Sequence, residues 1–545
     1  MENRMPSFYI CLPVFFPVIM GIMMLCFPLK QDKPRNIINF IFIVFNSLLA
    51  MIVMDGLEGE SVDLISFYKD YGLTLRIDRS GRIFGSIVSV LWPFASIYAY
   101  EYMMEEKSRN KFFAFYTMTF GVVLGIAFSA DLLSMYVFYE MLTLVTFPLV
   151  MHTKTKEAIR AGVTYLAYSL GGAAFGLIGV IFAMKYGNGL EFTWGGIIRY
   201  ATEGERGMIL ASFVLAFCGF SVKAAMAPFS RWLIKAAVAP TPVTALLHAV
   251  AVVNAGAFAC IRLIYFVFGT DLLKGTWAQY TVMFLAMATI LYGSSFAIKE
   301  THFKRRLAYS TISNLSYILF AATIMSDLGI IAAFTHMIMH SVTKICSFYC
   351  AGIVMEKAKK NYVYELDGIG RRMKLTFACF TISSLSLVGI PMFACFHGKW
   401  NIGVAAVSDG NVMSIAGLCV LLLSALFTLI YMFSIIIRAF FPEIRIAKAA
   451  GHETGRTSGR DKNKAAGKRN SKASDSEVGE AEIQNLKTGN ADFGPESVSS
   501  AEEEIIGFKK APMMHLTIMC AAVAIIILGV YWSPLFEMIQ AVTKL

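Results

Sequence analysis

Apolar runs of about twenty residues recur along almost the whole chain, separated by short polar turns, and nothing else limits its possible folds so strongly. Their approximate cores are 7–28, 37–54, 83–104, 112–129, 132–151, 160–184, 208–227, 243–268, 278–297, 307–325, 328–354, 375–396, 412–440 and 514–534. A helix of that length crosses the roughly 30 Å hydrocarbon core of a bilayer. Inside that core only helices or closed barrels satisfy the backbone polar groups. The chain is therefore expected to be an all-α polytopic membrane protein of about 14 transmembrane helices. The first run, apolar from Phe8 onward without a small-residue cleavage site, reads as a span rather than a removed signal. The turn Ser129-Ala130-Asp131 forces the fourth and fifth spans into a helical hairpin.

The net charge of +11 would suggest a nucleic-acid partner in a soluble protein. Here the basic residues sit in short loops: Lys30 to Arg35, Lys107 to Lys111, Lys154 to Arg160, Lys304 to Arg306 and Lys357 to Lys374. The loops between them are neutral or acidic, as in Asp55 to Asp70. Topology accounts for this alternation, and no nucleic-acid partner is expected. The positive-inside rule places the basic loops in the cytoplasm and, with an even span count, both termini outside a cell membrane. From about Ile446 to Ser500 large apolar residues almost vanish. That stretch cannot bury enough surface to offset its ordering entropy, so 442–510 is expected to be a disordered cytoplasmic loop. It is basic from Arg456 to Lys472 and acidic from Asp475 to Glu504. The ten cysteines are scattered, with Cys346 and Cys350 the closest pair, and read as small packing residues. There is no phosphate-cradling glycine motif, haem pair or iron–sulfur spacing. No cofactor and no redox or hydrolytic centre are expected in this chain.

Charge inside a span costs roughly 3 kcal/mol even on insertion scales, so ionisable residues there are functional candidates. Lys223 falls near the middle of the seventh span, which Pro228 then breaks. Lys235 follows the break and Arg231 precedes Lys235; either can simply anchor the segment at the interface. Glu140, alone among apolar residues in the fifth span, is either a locally satisfied carboxyl or the partner of a buried lysine. Asp131 reads as interfacial. The turn Ala239-Pro240-Thr241-Pro242 leads into the eighth span, where His248 is either a packing residue or a relay. His336, His340 and Lys344, at i, i+4 and i+8, share one helical face. That face suits a proton wire better than zinc, since a lysine repels the metal and no third ligand is near. Polar packing between helices is the remaining alternative. The twelfth span is interrupted at Pro391 and followed by Lys399, with His397 beside it. Breaks at matching positions of two halves point to inverted repeats with ion sites at their interface. Tyr309 to Tyr317 reads as a polar face of a span, and Asp367 to Arg372 as a tight turn whose glycines take unusual dihedrals.

The stretch Pro228, Trp232, Leu233, Ala239 to Val243 and Ala245 to His248 resembles the antiporter-like subunits shared by respiratory complex I, membrane-bound hydrogenases and multisubunit (Mrp-type) cation/proton antiporters. The resemblance extends over roughly residues 60 to 440. It implies two inverted five-helix repeats, at 111–270 and 271–441, with broken helices 7 and 12. Helices 1–3 in 1–110 precede them, and a last helix in 511–545 follows. It implies that Glu140 modulates Lys223, that His248 relays protons, and that the span with His336, His340 and Lys344 continues the path. Lys399 then exchanges with the outside or with a neighbouring subunit. Several members carry a lysine one or two turns after the histidine, where this chain has Asn254. The expected function is a proton (or sodium/proton) translocating membrane subunit whose partners are other membrane subunits of a complex. An Mrp-type or hydrogenase-type assembly is favoured. The alternatives are a subunit of a redox-driven pump and a structural or energising subunit without a complete path.

Overall fold

Helices occupy all the apolar runs in the computed structural model, which describes residues 5–68, 71–442 and 507–543. The stretch expected to be a loop falls, over 443–506, outside the described residues. The helices are α1 (Leu12–Cys26), α2 (Asp32–Gly56), α3 (Arg79–Tyr102), α4 (Arg109–Ala127), α5 (Leu132–Val150) and α6 (Lys156–Tyr186). Next come α7 (Glu203–Ser221), the short α8 (Arg231–Ala236), α9 (Thr241–Ala245) and α10 (Val252–Arg262). The chain continues with α11 (Thr270–Leu273), α12 (Trp277–Lys299), α13 (Phe303–Thr323), α14 (Asp327–Lys357) and α15 (Ile369–Arg372). The last are α16 (Lys374–Val388), α17 (Ala394–Asp409), α18 (Val412–Phe440), α19 (Pro512–Val530) and α20 (Ser533–Gln540).

Their starts follow from local chemistry. Side-chain oxygens of Asp78, Asp131, Thr155, Thr276 and Ser326 accept from backbone N–H groups in the first turns of α3, α5, α6, α12 and α14. Thr202 and Glu205 form a capping box on α7. Several helices begin inside stretches expected to be basic loops. The clearest correction is Lys304 to Arg306, which lies in the first turns of α13, with Lys304 and Arg306 buried. Length and polarity hid this, because α13 continues into a run of Ser, Thr, Asn and Tyr side chains that pack inward.

Among the described residues twelve helices are long and apolar enough to cross a membrane. The other two expected spans take different forms. The 21-residue α13 is too polar to qualify, and 375–396 is divided between α16 and α17. That division falls at residues 389–393, where Gly389 has φ 92° and Met392 φ 73°. A second division separates α7 from α8. With the four-residue α15 set aside, the broken helix is the fourth member both of the set α4 to α10 and of the set α12 to α18. The windows that cross in Thr241–Phe268 and Asp327–Lys357 are wholly buried, so these two lines of helix form the bundle's interior.

One element was not expected. Residues 61–76, read as part of an acidic loop, form an antiparallel hairpin of β1 (Ser61–Tyr68) and β2 (Tyr71–Arg76). Hydrogen bonds from Arg76 N to Phe128 O (2.7 Å) and from Ala130 N to Thr74 O (3.0 Å) join it to the turn between α4 and α5. At the other end of the chain, α19 packs against α3, α14, α16 and α17.

Candidate functional site

The site starts at the first break. α7 ends at Ser221, seven residues before Pro228, so Lys223 stands in the break and not near the middle of a helix as expected. The freed carbonyls find partners: Trp232 Nε1 donates to Val222 O (2.7 Å) and Met226 N to Ser221 O (3.1 Å). Such repair is what allows irregular backbone at membrane depth. Gly256 of α10 packs on this segment so closely that a Cβ there would lie 2.8 Å from the Lys223 carbonyl carbon. The Lys223 side chain is 1% exposed. Its ammonium donates to the Tyr139 carbonyl, lies 3.3 Å from the Tyr139 ring centroid, and stands 3.5 Å from Glu140 Oε1. The structure thus joins Glu140 and Lys223. Tyr139 also ties α5 to the end of α7, its hydroxyl donating to Phe220 O (2.7 Å). Lys235 and Arg231 are exposed on α8. Lys235 reaches Thr164 of α6 (3.2 Å) and does not join the buried set.

The middle of the bundle holds the histidines. Residues Leu246–Val250 form a π-helical turn that carries His248, fully buried, with its ring 4.8 Å from that of Phe348. Single π turns inside α-helices are often functional positions. Asn254 donates to Ala249 O (2.9 Å) and to Ser341 Oγ (2.7 Å). It therefore clamps the π turn and ties α10 to α14. His336, His340 and Lys344 line one face of α14, all fully buried, with the two imidazoles 6.3 Å apart. The ring nitrogens of His336 make no hydrogen bond to protein among the described residues. Lys344 donates to Ser310 Oγ (2.7 Å) and Leu307 O (3.2 Å) of α13.

Lys399 lies in α17, past the second break. It donates to Leu387 O (2.7 Å) and Val388 O (3.0 Å), two of the last carbonyls of α16, so an ammonium caps the negative end of the first half-helix. Hydroxyls surround the way from Lys344 to Lys399. Tyr431 donates to Ser310 Oγ (2.9 Å) and Thr428 Oγ1 (3.2 Å), and Tyr317 to Ser424 Oγ (2.6 Å). The Tyr317 ring lies 5.3 Å from the Lys399 ammonium and 5.5 Å from the His336 ring. A cavity of about 500 Å³, lined by Lys399, Phe396, Trp400 and Leu421, opens beside it. His397 turns elsewhere, pairing with Gly529 O (2.8 Å) and stacking on Trp532, and so attaches the C-terminal helices.

Further buried charges escaped the sequence reading. Lys304 donates to Ala239 O (2.8 Å). Arg262 is fully buried, paired at both nitrogens with Asp78 (2.6 Å each) and ringed by Phe192, Phe258 and Phe266 at 4.7–4.9 Å. Its signal was a lone arginine several residues inside the apolar run 243–268. Asp131, read as interfacial, caps α5 through Ser134 N and Ser134 Oγ (2.7 Å each), and burial pushes its carboxyl up to about 6.

Comparison with known proteins agrees with this geometry. The family model described as NADH:quinone oxidoreductase/Mrp antiporter, TM matches residues 129–428. A probable K(+)/H(+) antiporter subunit of Rhizobium meliloti (strain 1021) is 30% identical over 367 residues, which are 66% of this chain and 35% of that protein. The chloroplastic NAD(P)H-quinone oxidoreductase subunit 5 of Phaseolus vulgaris is 27% identical over 457 residues, 79% of this chain and 59% of that protein. The chain thus spans between about a third and three fifths of the length of these relatives. In the solved Mrp complex from Dietzia sp. DQ12-45-1b, one chain superposes with a TM-score of 0.77 at 18% identity, covering 100% of this chain and 97% of that one. At that identity the structure supports the fold.

Proposed function

We propose, for a chain that belongs to the NADH:quinone oxidoreductase/Mrp antiporter transmembrane family, that it is a proton-translocating subunit of a multisubunit cation/proton antiporter. The observation that carries this reading is Lys223, 1% exposed, seated in a helix break 3.5 Å from Glu140. A static buried ion pair is a weak device for stability, whereas a lysine in a break beside a carboxylate responds to small changes in their separation. In this reading protons arrive near Lys235 from the side of the basic loops, the cytoplasm. They pass Lys223 under the control of Glu140 and cross through His248 and the His336–His340–Lys344 face. They leave near Lys399. Histidine suits the middle of such a route because it titrates nearest neutral pH.

We infer that the sets α4 to α10 and α12 to α18 are the two inverted repeats, each contributing a broken helix. The partners in this reading are other membrane subunits in the cell membrane. The Rhizobium meliloti relative, named for K(+)/H(+) antiport, supports cation exchange. A second reading is a redox-driven pump whose electron chemistry lies in other subunits, and the quinone oxidoreductase relative favours it. Mass spectrometry of subunits that co-purify in mild detergent separates the two, since flavin or metal-cluster proteins appear only in the second. The test of function is cation-driven proton flux in vesicles carrying the purified complex. Lys223→Ala is expected to abolish the flux and leave assembly intact; retained flux overturns the reading.

A further inference from the structure

We propose that Lys304 is a second proton-uptake group, feeding Lys344 along α13 without passage through Lys223. This rests on the translocation reading above and adds a residue and a route to it. Lys304 lies in the first turn of α13, three residues beyond the exposed Thr301 of the loop that begins at Glu300. It is 4% exposed, and no carboxylate pairs with it among the described residues. An ammonium has three N–H donors, and its one hydrogen bond, to Ala239 O, uses one of them.

A purely structural role explains this arrangement poorly. The Ala239 carbonyl already accepts from Thr244 Oγ1 (3.0 Å), so the turn before Pro240 has a neutral partner without the lysine. Burying a charge to supply a second donor is an expensive way to cap a carbonyl that is already satisfied. The position has a different use. Leu307 and Ser310, three and six residues further along α13, are the groups that receive the Lys344 ammonium. Six residues of helix rise about 9 Å. Lys304 therefore stands between the loop end of the bundle and the middle lysine, on the helix that holds that lysine. Ser310 also accepts from Tyr431, which makes its hydroxyl a junction.

Protons and charge balance in the transfer. The neutral amine of Lys304 takes one proton from a hydronium ion at the loop end, which leaves as water, and becomes an ammonium. That ammonium gives a proton, across bridging water, to the Ser310 hydroxyl, which gives its own proton to the neutral amine of Lys344. Lys304 returns to its neutral state, and one positive charge has moved from one lysine to the other.

The experiment uses the purified complex in vesicles with an internal pH dye and an imposed sodium or potassium gradient. Lys304→Arg keeps the charge and a donor for Ala239 O, but arginine does not release its proton. Flux is expected to fall at least tenfold, with assembly and thermal stability unchanged, and Lys304→His is expected to recover several-fold over Lys304→Arg. Flux in Lys304→Arg equal to wild type overturns the proposal and leaves Lys304 a fixed cap. Should the arginine variant not assemble, Ser310→Ala decides, because it leaves the contact between Lys304 and Ala239 in place. A loss of flux of fivefold or more supports the route, and unchanged flux overturns it. Absence of proton flux in the wild-type complex with either cation overturns the translocation reading itself, a result distinct from these.

Discussion

Glu140→Gln removes one charge and almost no volume, so it isolates the electrostatic role of the carboxylate. The pair separation is 3.5 Å, with Lys223 1% and Glu140 21% exposed. At an effective dielectric near 20, Coulomb's law gives about 5 kcal/mol for this distance. Glu140 keeps some solvent, and the Tyr139 carbonyl and ring still hold the ammonium after the substitution. Halving the figure for both effects leaves about 2 kcal/mol, within the range measured for directly coupled neighbours. If that energy shapes the transfer barrier, it corresponds to roughly a thirtyfold change in rate. The assay is initial proton flux in vesicles at saturating cation, normalised to assembled complex. Glu140→Gln and Lys223→Gln are each expected to reduce flux about thirtyfold or more. The double variant is expected to be no slower than the slower single variant, because each substitution already breaks the same switch. Two independent losses that multiply in the double variant would show that the residues act separately, and the pair would then be no switch. Flux above half the wild-type value in Glu140→Gln would refute the reasoning just as firmly.

Two further expectations concern stability and acidity. Arg262→Met leaves the Asp78 carboxylate without its buried partner and is expected to lower unfolding stability by about 3–5 kcal/mol. Asp78→Asn added to it should recover part of that, and a loss under 1 kcal/mol for the single variant, read by thermal unfolding in detergent, refutes it. Asp131, pushed from 3.8 up to about 6 by burial, binds its proton more tightly folded than unfolded. Its contribution therefore favours the fold below about pH 4 and is lost as pH rises to about 6, by about 3 kcal/mol at most. Asp131→Asn keeps the cap and is expected to remove that slope; identical stability-versus-pH curves for the two proteins refute the assignment.

The helices were legible because hydropathy and caps act locally. Thr202 with Glu205, Asp131 with Ser134, and Ser326 with Gly329 are signals within four residues of one another. The face shared by His336, His340 and Lys344 was legible for the same reason, since spacing along one helix fixes it. The place of the first break was not. Pro228 marks where a helix cannot continue, but α7 stops at Ser221 because Trp232, eleven residues on, supplies a donor to the Val222 carbonyl. The pairing of Arg262 with Asp78 joins residues 184 apart in sequence, and no local pattern reports it. Lys304 was misread because charge next to a polar run looks like a loop, and only packing against Ala239 shows that α13 is interior.

The partners of the buried lysines then suggest a division of labour. Among the described residues four lysines are buried: Lys223, Lys304, Lys344 and Lys399. Only Lys223 has a carboxylate within ion-pair distance. Lys304 is held by a carbonyl, Lys344 by a carbonyl and a hydroxyl, and Lys399 by two carbonyls at a helix end. A carbonyl oxygen accepts from an ammonium or from a neutral amine, so these sites keep a partner in either protonation state. A carboxylate instead favours the ammonium strongly, in proportion to how near it stands. On the translocation reading proposed above, three lysines can thus pass protons at little structural expense, and the fourth can hold or release one according to the distance from Glu140. On this argument, placing a carboxylate beside Lys344 by Ser310→Asp traps the proton in mid-bundle. Flux should fall well below that of Ser310→Ala at equal assembly, and a faster Ser310→Asp protein would overturn the argument.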